Sequence, residues 1–321
     1  MKINLLTHDN GVGLTQDVKI IRKILKGYDC EFIDLRTGSP TRCDINIFFE
    51  HISPKYYSFA KVNLFFPNPE WFEWPHMLRG LDLVLCKTHD CQRIFDTIKS
   101  EKDTWQTVYT SFTSEDRNTG QRAEEIVYLH TAGQSTAKGT DTVFKAWKED
   151  YPILILTKLR DFKYYQRKQD NILTCFERVP LDILKELQNK CTFGVCPSEY
   201  EGFGHYIWEG KSCGQIIITT DAPPMNEMVT TDNGFLIPSG RSRRFNFGRL
   251  HSIDPIPFQG VIEKTMLLTP KEISKMRLAS RKSWEENDKL FKETFLQIIK
   301  DYAEKIREGF KESRKEVEAK R

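Results

Sequence analysis

The sequence predicts an α/β protein built from two Rossmann-like domains in tandem. Three observations carry that expectation. The first hundred residues alternate short apolar runs with longer amphipathic stretches, the pattern of a parallel sheet with crossover helices. Between Ser114 and Glu124 the chain turns polar and charged (SEDRNTGQRAE), and the same alternation then restarts. The length of 321 residues allows two domains, each with its own core. The expected organisation is an N-terminal Rossmann-like domain over residues 1–115, a second Rossmann-like domain over 116–290, and a C-terminal helix over 291–321 that packs back toward the first domain.

In order, strands are expected at Lys2–His8, Glu31–Leu35, Asn46–Glu50, Val62–Pro67, Leu83–Lys87 and Gln106–Thr110, with helices after Gly13 and after Thr88. Val18, Ile20, Ile21, Ile24 and Leu25 mark one buried face on the first helix. In the second half the strands are Glu125–His130, Ile153–Thr157, Ile172–Phe176, Phe193–Cys196 and Gln215–Thr220, with a helix at Asp141–Lys148. From Pro270 the composition is helical, and Trp284, Phe291, Phe295, Ile298, Ile299 and Tyr302 supply an apolar stripe.

Composition excludes several classes. With 39% hydrophobic and 29% charged residues the chain is neither disordered nor membrane-spanning, and no apolar run approaches the ~18 residues a bilayer requires. The start MKINLLTHDNGVG reads as a buried strand rather than a signal peptide, so a cytoplasmic location is expected. Eight scattered cysteines lack the paired spacing of a zinc site and read as buried thiols, so no metal ligands are assigned. Basic residues exceed acidic ones by only three, which gives no whole-chain argument for nucleic acid.

The chemistry concentrates in CPSEYEGFGHYIWEGKSCGQIIITTDAPPMNEMVTTDNGFLIPSG. An apolar strand leads through Gly202 and Gly204 into a helix starting near His205, where glycines permit close backbone approach and helix-start amides favour an anion or an oxygen-rich group. Glu201 precedes the helix and Glu209 lies one turn inside it, two carboxylates suited to gripping paired sugar hydroxyls. On spacing alone they read equally well as a turn residue and a solvated helix position.

Glu201 and Glu209 with seven residues between them resemble the E-x7-E motif of retaining GT-B glycosyltransferases, especially the family 4 enzymes (glycosyl transferases group 1). APPMNEMV and NGFLIP are similar to the family's following run. The resemblance implies two α/β domains facing a central cleft and a UDP- or GDP-sugar as donor substrate, with no tightly bound cofactor and no metal. It assigns Glu209 to the donor ribose and Glu201 to the transferred sugar. The amides of Gly202, Phe203 and Gly204 would then hold sugar hydroxyls and the distal phosphate. HTAGQSTAKGTDTVFKAW resembles the family's first donor-domain strand, loop and helix, with its glycine turn at Gly133, and assigns Lys138 to the diphosphate. The family's arginine in that loop is replaced by Gln134 or Ser135, so Lys158 or Arg160 would supply the missing charge. Glu177, Arg178 and Val179 fall where the nucleobase is bordered, and His130 and His205 are candidate hydroxyl or phosphate partners.

In the N-terminal half, THDNGVGLTQD places Gly11 and Gly13 between strand and helix, where amides could face the donor phosphates. PNPEWFEWPHMLRG clusters Trp71, Phe72 and Trp74 at a strand end beside Asn68 and Glu70, suited to stacking on an acceptor sugar or equally to a hydrophobic seam. Lys87 and Thr88, after the next strand, point to the cleft on this reading.

The expected reaction is sugar transfer with retention to a hydroxyl of a glycan or other glycoconjugate, a hexosyltransferase-like activity. Three rivals remain: a GT-B epimerase, a non-catalytic sugar-nucleotide binder, and an enzyme that glycosylates a hydroxylated DNA base. For the last, Lys163, Arg167 and Lys168 interleave with Tyr164 and Tyr165, and Arg241, Arg243, Arg244 and Arg249 add basic surface.

Overall fold

The computed structural model describes residues 1–120, 126–159 and 169–319. They divide into two compact units, Met1–Phe112 with the chain from Asp288, and Thr113–Asn287.

The first unit holds β1 (Lys2–Thr7), α1 (Gly13–Ile24), β2 (Asp29–Asp34), β3 (Ile45–Phe49), β4 (Val62–Phe66), β5 (Leu83–Cys86), α2 (His89–Ile98) and β6 (Gln106–Tyr109). Its strands form one parallel sheet in the order β2-β1-β3-β4-β5-β6. INIFF and VNLFF are buried at every position, as strands covered on both faces must be. Parallel register sets Asn4 beside Asn46 and Asn46 beside Asn63. Their amides bond in series, Asn4 Nδ2 to Asn46 Oδ1 at 3.1 Å and Asn46 Nδ2 to Asn63 Oδ1 at 3.0 Å, which satisfies polar groups that would otherwise make this core costly. The aromatic side of the core joins Phe66, Phe112, Phe291 and Phe295, with ring centroids 4.8 to 5.9 Å apart.

The second unit holds β7 (Tyr128–Gly133), α3 (Thr140–Ala146), β8 (Leu154–Lys158), β9 (Ile172–Cys175), α4 (Leu181–Lys190), β10 (Phe193–Cys196), α5 (His205–Ser212), β11 (Ile216–Asp221), β12 (Gly234–Phe245), β13 (Gly248–Ile253) and α6 (Pro255–Met266). A long helix, α7 (Pro270–Ala319), begins in this unit and continues into the first. The strand order is β13-β12-β11-β10-β7-β8-β9, parallel except for the β12–β13 ribbon. Tyr128 stacks on Phe193 at 4.6 Å in the centre of this core.

In each sheet the direction of strand addition reverses once, between β1 and β3 and between β7 and β10. Ligands of open parallel sheets bind at the carboxyl ends of strands beside such a reversal.

The structure corrects the sequence reading in several places. Strands expected to include His8, Glu50 and Lys87 end one residue earlier, which frees those side chains as the first residues of loops on the carboxyl edge. Residues 114–120 are no free linker. Trp284 Nε1 donates to Ser114 Oγ at 3.1 Å, Thr119 N to Asn189 Oδ1 at 2.9 Å, and Asn189 Nδ2 to Arg117 O at 2.8 Å. The charges there have partners: Glu115 with Lys185, Asp116 with Arg281, and Arg117 with Glu209. The strand expected from Glu125 begins at Tyr128, Glu125 itself lying outside the described residues. No helix among the described residues is long and apolar enough to cross a membrane.

Candidate functional site

Two loops meet at the β7/β10 reversal. The first, residues 134–139, follows β7 and ends at Gly139. That glycine has φ +65°, and an added Cβ would sit 2.1 Å from the Pro197 carbonyl oxygen, so only glycine lets the loops touch. The second, 197–204, follows β10 and ends at Gly204, φ +85°, immediately before α5. Glu199 N donates to Ala137 O at 2.8 Å and fastens one loop to the other.

This packing unites residues far apart in sequence. The Lys138 ammonium pairs with Glu201 Oε1 and lies over the Tyr206 ring, 3.8 Å from its centroid. Ser198 Oγ donates to the same Glu201 oxygen and lies 2.5 Å from Tyr206 Oη. Burial pushes the Tyr206 hydroxyl and the Cys196 thiol well up, so both are neutral groups beside the Lys138–Glu201 ion pair. Lys138 and Glu201 are largely but not fully buried, so an incoming anion can compete for the ammonium.

Glu209 occupies the inner turn of α5. Arg117 donates to Glu209 Oε1 across 2.7 Å, with side-chain exposures of only 4% and 9%. Arg117 also donates to Gln188 Oε1 at 3.1 Å, and its backbone N–H to Ser212 Oγ at 3.0 Å. The carboxylate is therefore held in one orientation by a residue that the sequence reading assigned to a linker. Gly202, Phe203 and Gly204 are buried between the two glutamates in the chain, with Phe203 stacked parallel to Trp208 at 6.3 Å.

Other candidates fall elsewhere. His130 is a packed core histidine: its ring bonds Val195 O at 2.8 Å and Thr140 Oγ1 at 3.0 Å, and burial lowers it to about 4, so it is neutral. Lys158 is buried behind the Lys138 loop and donates to Ser135 O at 3.0 Å. Gly133, φ +55°, turns the chain out of β7. Arg178 is exposed and Val179 half-buried between β9 and α4. The Arg160, Lys163, Tyr164, Tyr165, Arg167 and Lys168 readings lie outside the described residues. Arg241, Arg243 and Arg244 lie on β12 and Arg249 on β13, with Arg244 directly opposite Arg249. Among the described residues no group of three or more His, Cys, Asp or Glu stands in metal-ligating arrangement.

In the first unit, the amides around Gly13 are largely occupied. Asp9 Oδ1 accepts from Gly11 N at 3.0 Å, and Asn10 Oδ1 accepts from Val12 N and Leu14 N at 3.0 and 3.2 Å, which weakens this loop as a phosphate cradle. Lys87 does not point outward: it pairs with Asp17 Oδ2 at 2.6 Å, both side chains 2% exposed, and donates to Asn68 Oδ1 at 3.0 Å. Thr88 caps α2 by accepting from Cys91 N at 3.1 Å. Glu70 and Phe72 are buried, whereas Trp71 and Trp74 stand 52% and 55% exposed.

The Glycosyl transferases group 1 family matches residues 112–246, nearly all within the second unit and spanning both glutamates and Lys138. No curated protein matches the chain by sequence. By structure it is similar to the pneumococcal O-GlcNAc transferase GtfA, solved in complex with UDP and GlcNAc. The two share 15% identity at a TM-score of 0.61, over 82% of this chain and 57% of that one. It is also similar to the sucrose-phosphate synthase of Thermosynechococcus elongatus, with 13% identity and a TM-score of 0.65 over 94% of this chain and 100% of that one. TarM is a third such structure, with 12% identity and a TM-score of 0.61 over 82% and 55%. This chain thus spans little more than half the length of GtfA and TarM, and at these identities the likeness speaks for the fold. Residues 112–246 thus match the Glycosyl transferases group 1 family, and the chain has the α/β GT-B fold.

Proposed function

We propose that the chain is a retaining, metal-independent glycosyltransferase that moves a hexose-type sugar from a UDP- or GDP-sugar to a hydroxyl of a glycan or other glycoconjugate. The observation that carries the reading is the convergence of Lys138, Glu201 and the Arg117-locked Glu209 around the β7/β10 reversal. GtfA, whose fold is similar, binds UDP and GlcNAc.

Each group has a task suited to its surroundings. Glu209, unable to rotate away from Arg117, offers a fixed acceptor for the paired hydroxyls of the donor ribose. The Lys138 ammonium exchanges part of its contact with Glu201 for the diphosphate, which leaves Glu201 to accept hydroxyls of the sugar. The amides of Gly202, Phe203 and Gly204 contribute donors at the start of α5. During transfer the bond from the anomeric carbon to the phosphate oxygen breaks, and its electron pair leaves with the nucleoside diphosphate. The acceptor oxygen bonds to the same carbon on the same face, and its proton passes to a phosphate oxygen. Lys138, already partly desolvated, stabilises the charge that develops on the leaving group.

The test is nucleotide release from UDP-glucose, UDP-N-acetylglucosamine and GDP-mannose, with proton NMR of the products. A glycoside with the donor's anomeric configuration supports the reading. Inversion of that configuration, epimerised donor without a glycoside, or binding without any turnover each contradicts it.

A further inference from the structure

The first unit carries a polar cluster at its own reversal point, outside the donor site. β1 ends at Thr7 and β3 at Phe49, so His8, Glu50 and His51 are the first loop residues on either side of the β1/β3 boundary. The rings of His8 and His51 lie 4.0 Å apart between centroids. Glu50 has φ +56°, a left-handed conformation that a side-chain-bearing residue adopts only when its surroundings hold it there.

The surroundings do hold it. Glu50 N donates to Phe66 O at 2.8 Å, and Glu50 Oε2 accepts from Asn68 Nδ2 at 2.6 Å. Asn68 cannot flip, because its Oδ1 accepts from Lys87 Nζ, which is fixed in turn by Asp17 on α1. The result is one directed chain of hydrogen bonds from Asp17 through Lys87 and Asn68 to one oxygen of Glu50. The other oxygen, Oε1, lies 3.7 Å from His51 Nδ1, beyond hydrogen-bond reach, and that buried nitrogen has no hydrogen-bond partner. A carboxylate oxygen and a ring nitrogen therefore face each other across 3.7 Å, close enough for one polar atom to bond both. A hydroxyl has the required character: it donates to Glu50 Oε1 and accepts from the Nδ1–H tautomer of His51.

We propose that Glu50 and His51 bind a hydroxyl of the acceptor other than the one that reacts, with Asn68, Lys87 and Asp17 as positioning residues behind them. This rests on the glycosyltransferase reading above and adds to it the residues that hold the second substrate. Trp71 and Trp74, three and six positions past Asn68 and both half exposed, suit the apolar face of a sugar ring and favour a carbohydrate acceptor. The outward-facing position of Glu50 requires an acceptor atom. In a Glu50→Gln variant Asn68 Nδ2 still demands an oxygen opposite it, so the new amide is forced to present NH2 to the hydroxyl.

The experiment compares wild type, Glu50→Gln and His51→Ala by differential scanning fluorimetry with UDP and GDP. Nucleotide release from the three donors above is then measured with water alone and with a panel of p-nitrophenyl glycosides. The expected result is an unchanged nucleotide-induced shift in Tm with a ten- to one-hundredfold fall, roughly, in turnover for Glu50→Gln, the effect of losing a hydrogen bond to a charged group. A smaller fall through a raised acceptor KM is expected for His51→Ala. Wild-type turnover in Glu50→Gln overturns the inference, as does loss of its nucleotide shift with the fold intact, which would assign Glu50 to the donor. A wild-type chain that shows no shift with any nucleotide, or binds one and turns no donor over, contradicts the underlying reading and this inference with it.

Discussion

Arg117→Met removes a guanidinium while keeping most of the aliphatic stem. Glu209 then faces a buried site with no countercharge. At 2.7 Å and an effective dielectric near 20, two unit charges attract by about 6 kcal/mol. Desolvation of both groups cancels much of that in the native protein, but a variant that removes one partner keeps the other's desolvation cost, and such losses run to about 3–5 kcal/mol. In a unit of this size that corresponds to a fall in Tm of about 6–20 °C. The assay is a double-mutant cycle by scanning calorimetry with Arg117→Met, Glu209→Gln and the pair. Because Glu209→Gln neutralises the stranded charge, the double variant should be more stable than Arg117→Met alone, with a coupling energy of about 2 kcal/mol or more. Coupling below about 0.5 kcal/mol would refute the argument that Arg117 exists to hold Glu209.

Two further outcomes follow from the same unit. Gly139→Ala places a methyl 2.1 Å from the Pro197 carbonyl at a left-handed position and should cost at least about 2 kcal/mol, read as a lower urea midpoint with weaker nucleotide binding; an unchanged midpoint contradicts the close packing of the two loops. Lys211, whose ammonium donates to the Met228 carbonyl, is pushed down to about 7 by burial. A lysine with a depressed folded value binds fewer protons folded than unfolded, so its contribution improves as pH rises, by about 2 kcal/mol between pH 7 and 9. The stability of wild type relative to Lys211→Met should therefore increase across that window, and a difference independent of pH would show that Lys211 stays charged.

Much of the fold was legible because strands buried on both faces are nearly continuous apolar runs; INIFF, VNLFF and FGVC needed no tertiary information. Strand ends were less so, since hydropathy alone could not release His8, Glu50 and Lys87 into loops. Glu201, Glu209 and Lys138 were singled out by motif and register, and the structure adds that Lys138 touches Glu201. Arg117 was missed because its partner lies far along the chain, so SEDR looked like solvent-facing charge. Glu50 and His51 were passed over because Glu50 reads as the end of a strand and HISP has the composition of a turn, and only the hydrogen-bond chain from Asp17 distinguishes them. Lys87 lies one residue beyond its strand, and its direction depends on Asp17, a carboxylate on the buried face of α1 that periodicity treats as an exception. The β12–β13 ribbon escaped notice because its arginines interrupt the alternation that marks a half-buried strand.

The central claim is a donor site built on Glu209, Glu201 and Lys138, and isothermal titration of UDP and GDP into wild type, Glu209→Ala and Lys138→Ala tests it most directly. Saturable wild-type binding of one nucleotide, weakened about tenfold or more in both variants, is the predicted result. Equal affinity in all three proteins, or no binding by the wild type, would contradict it.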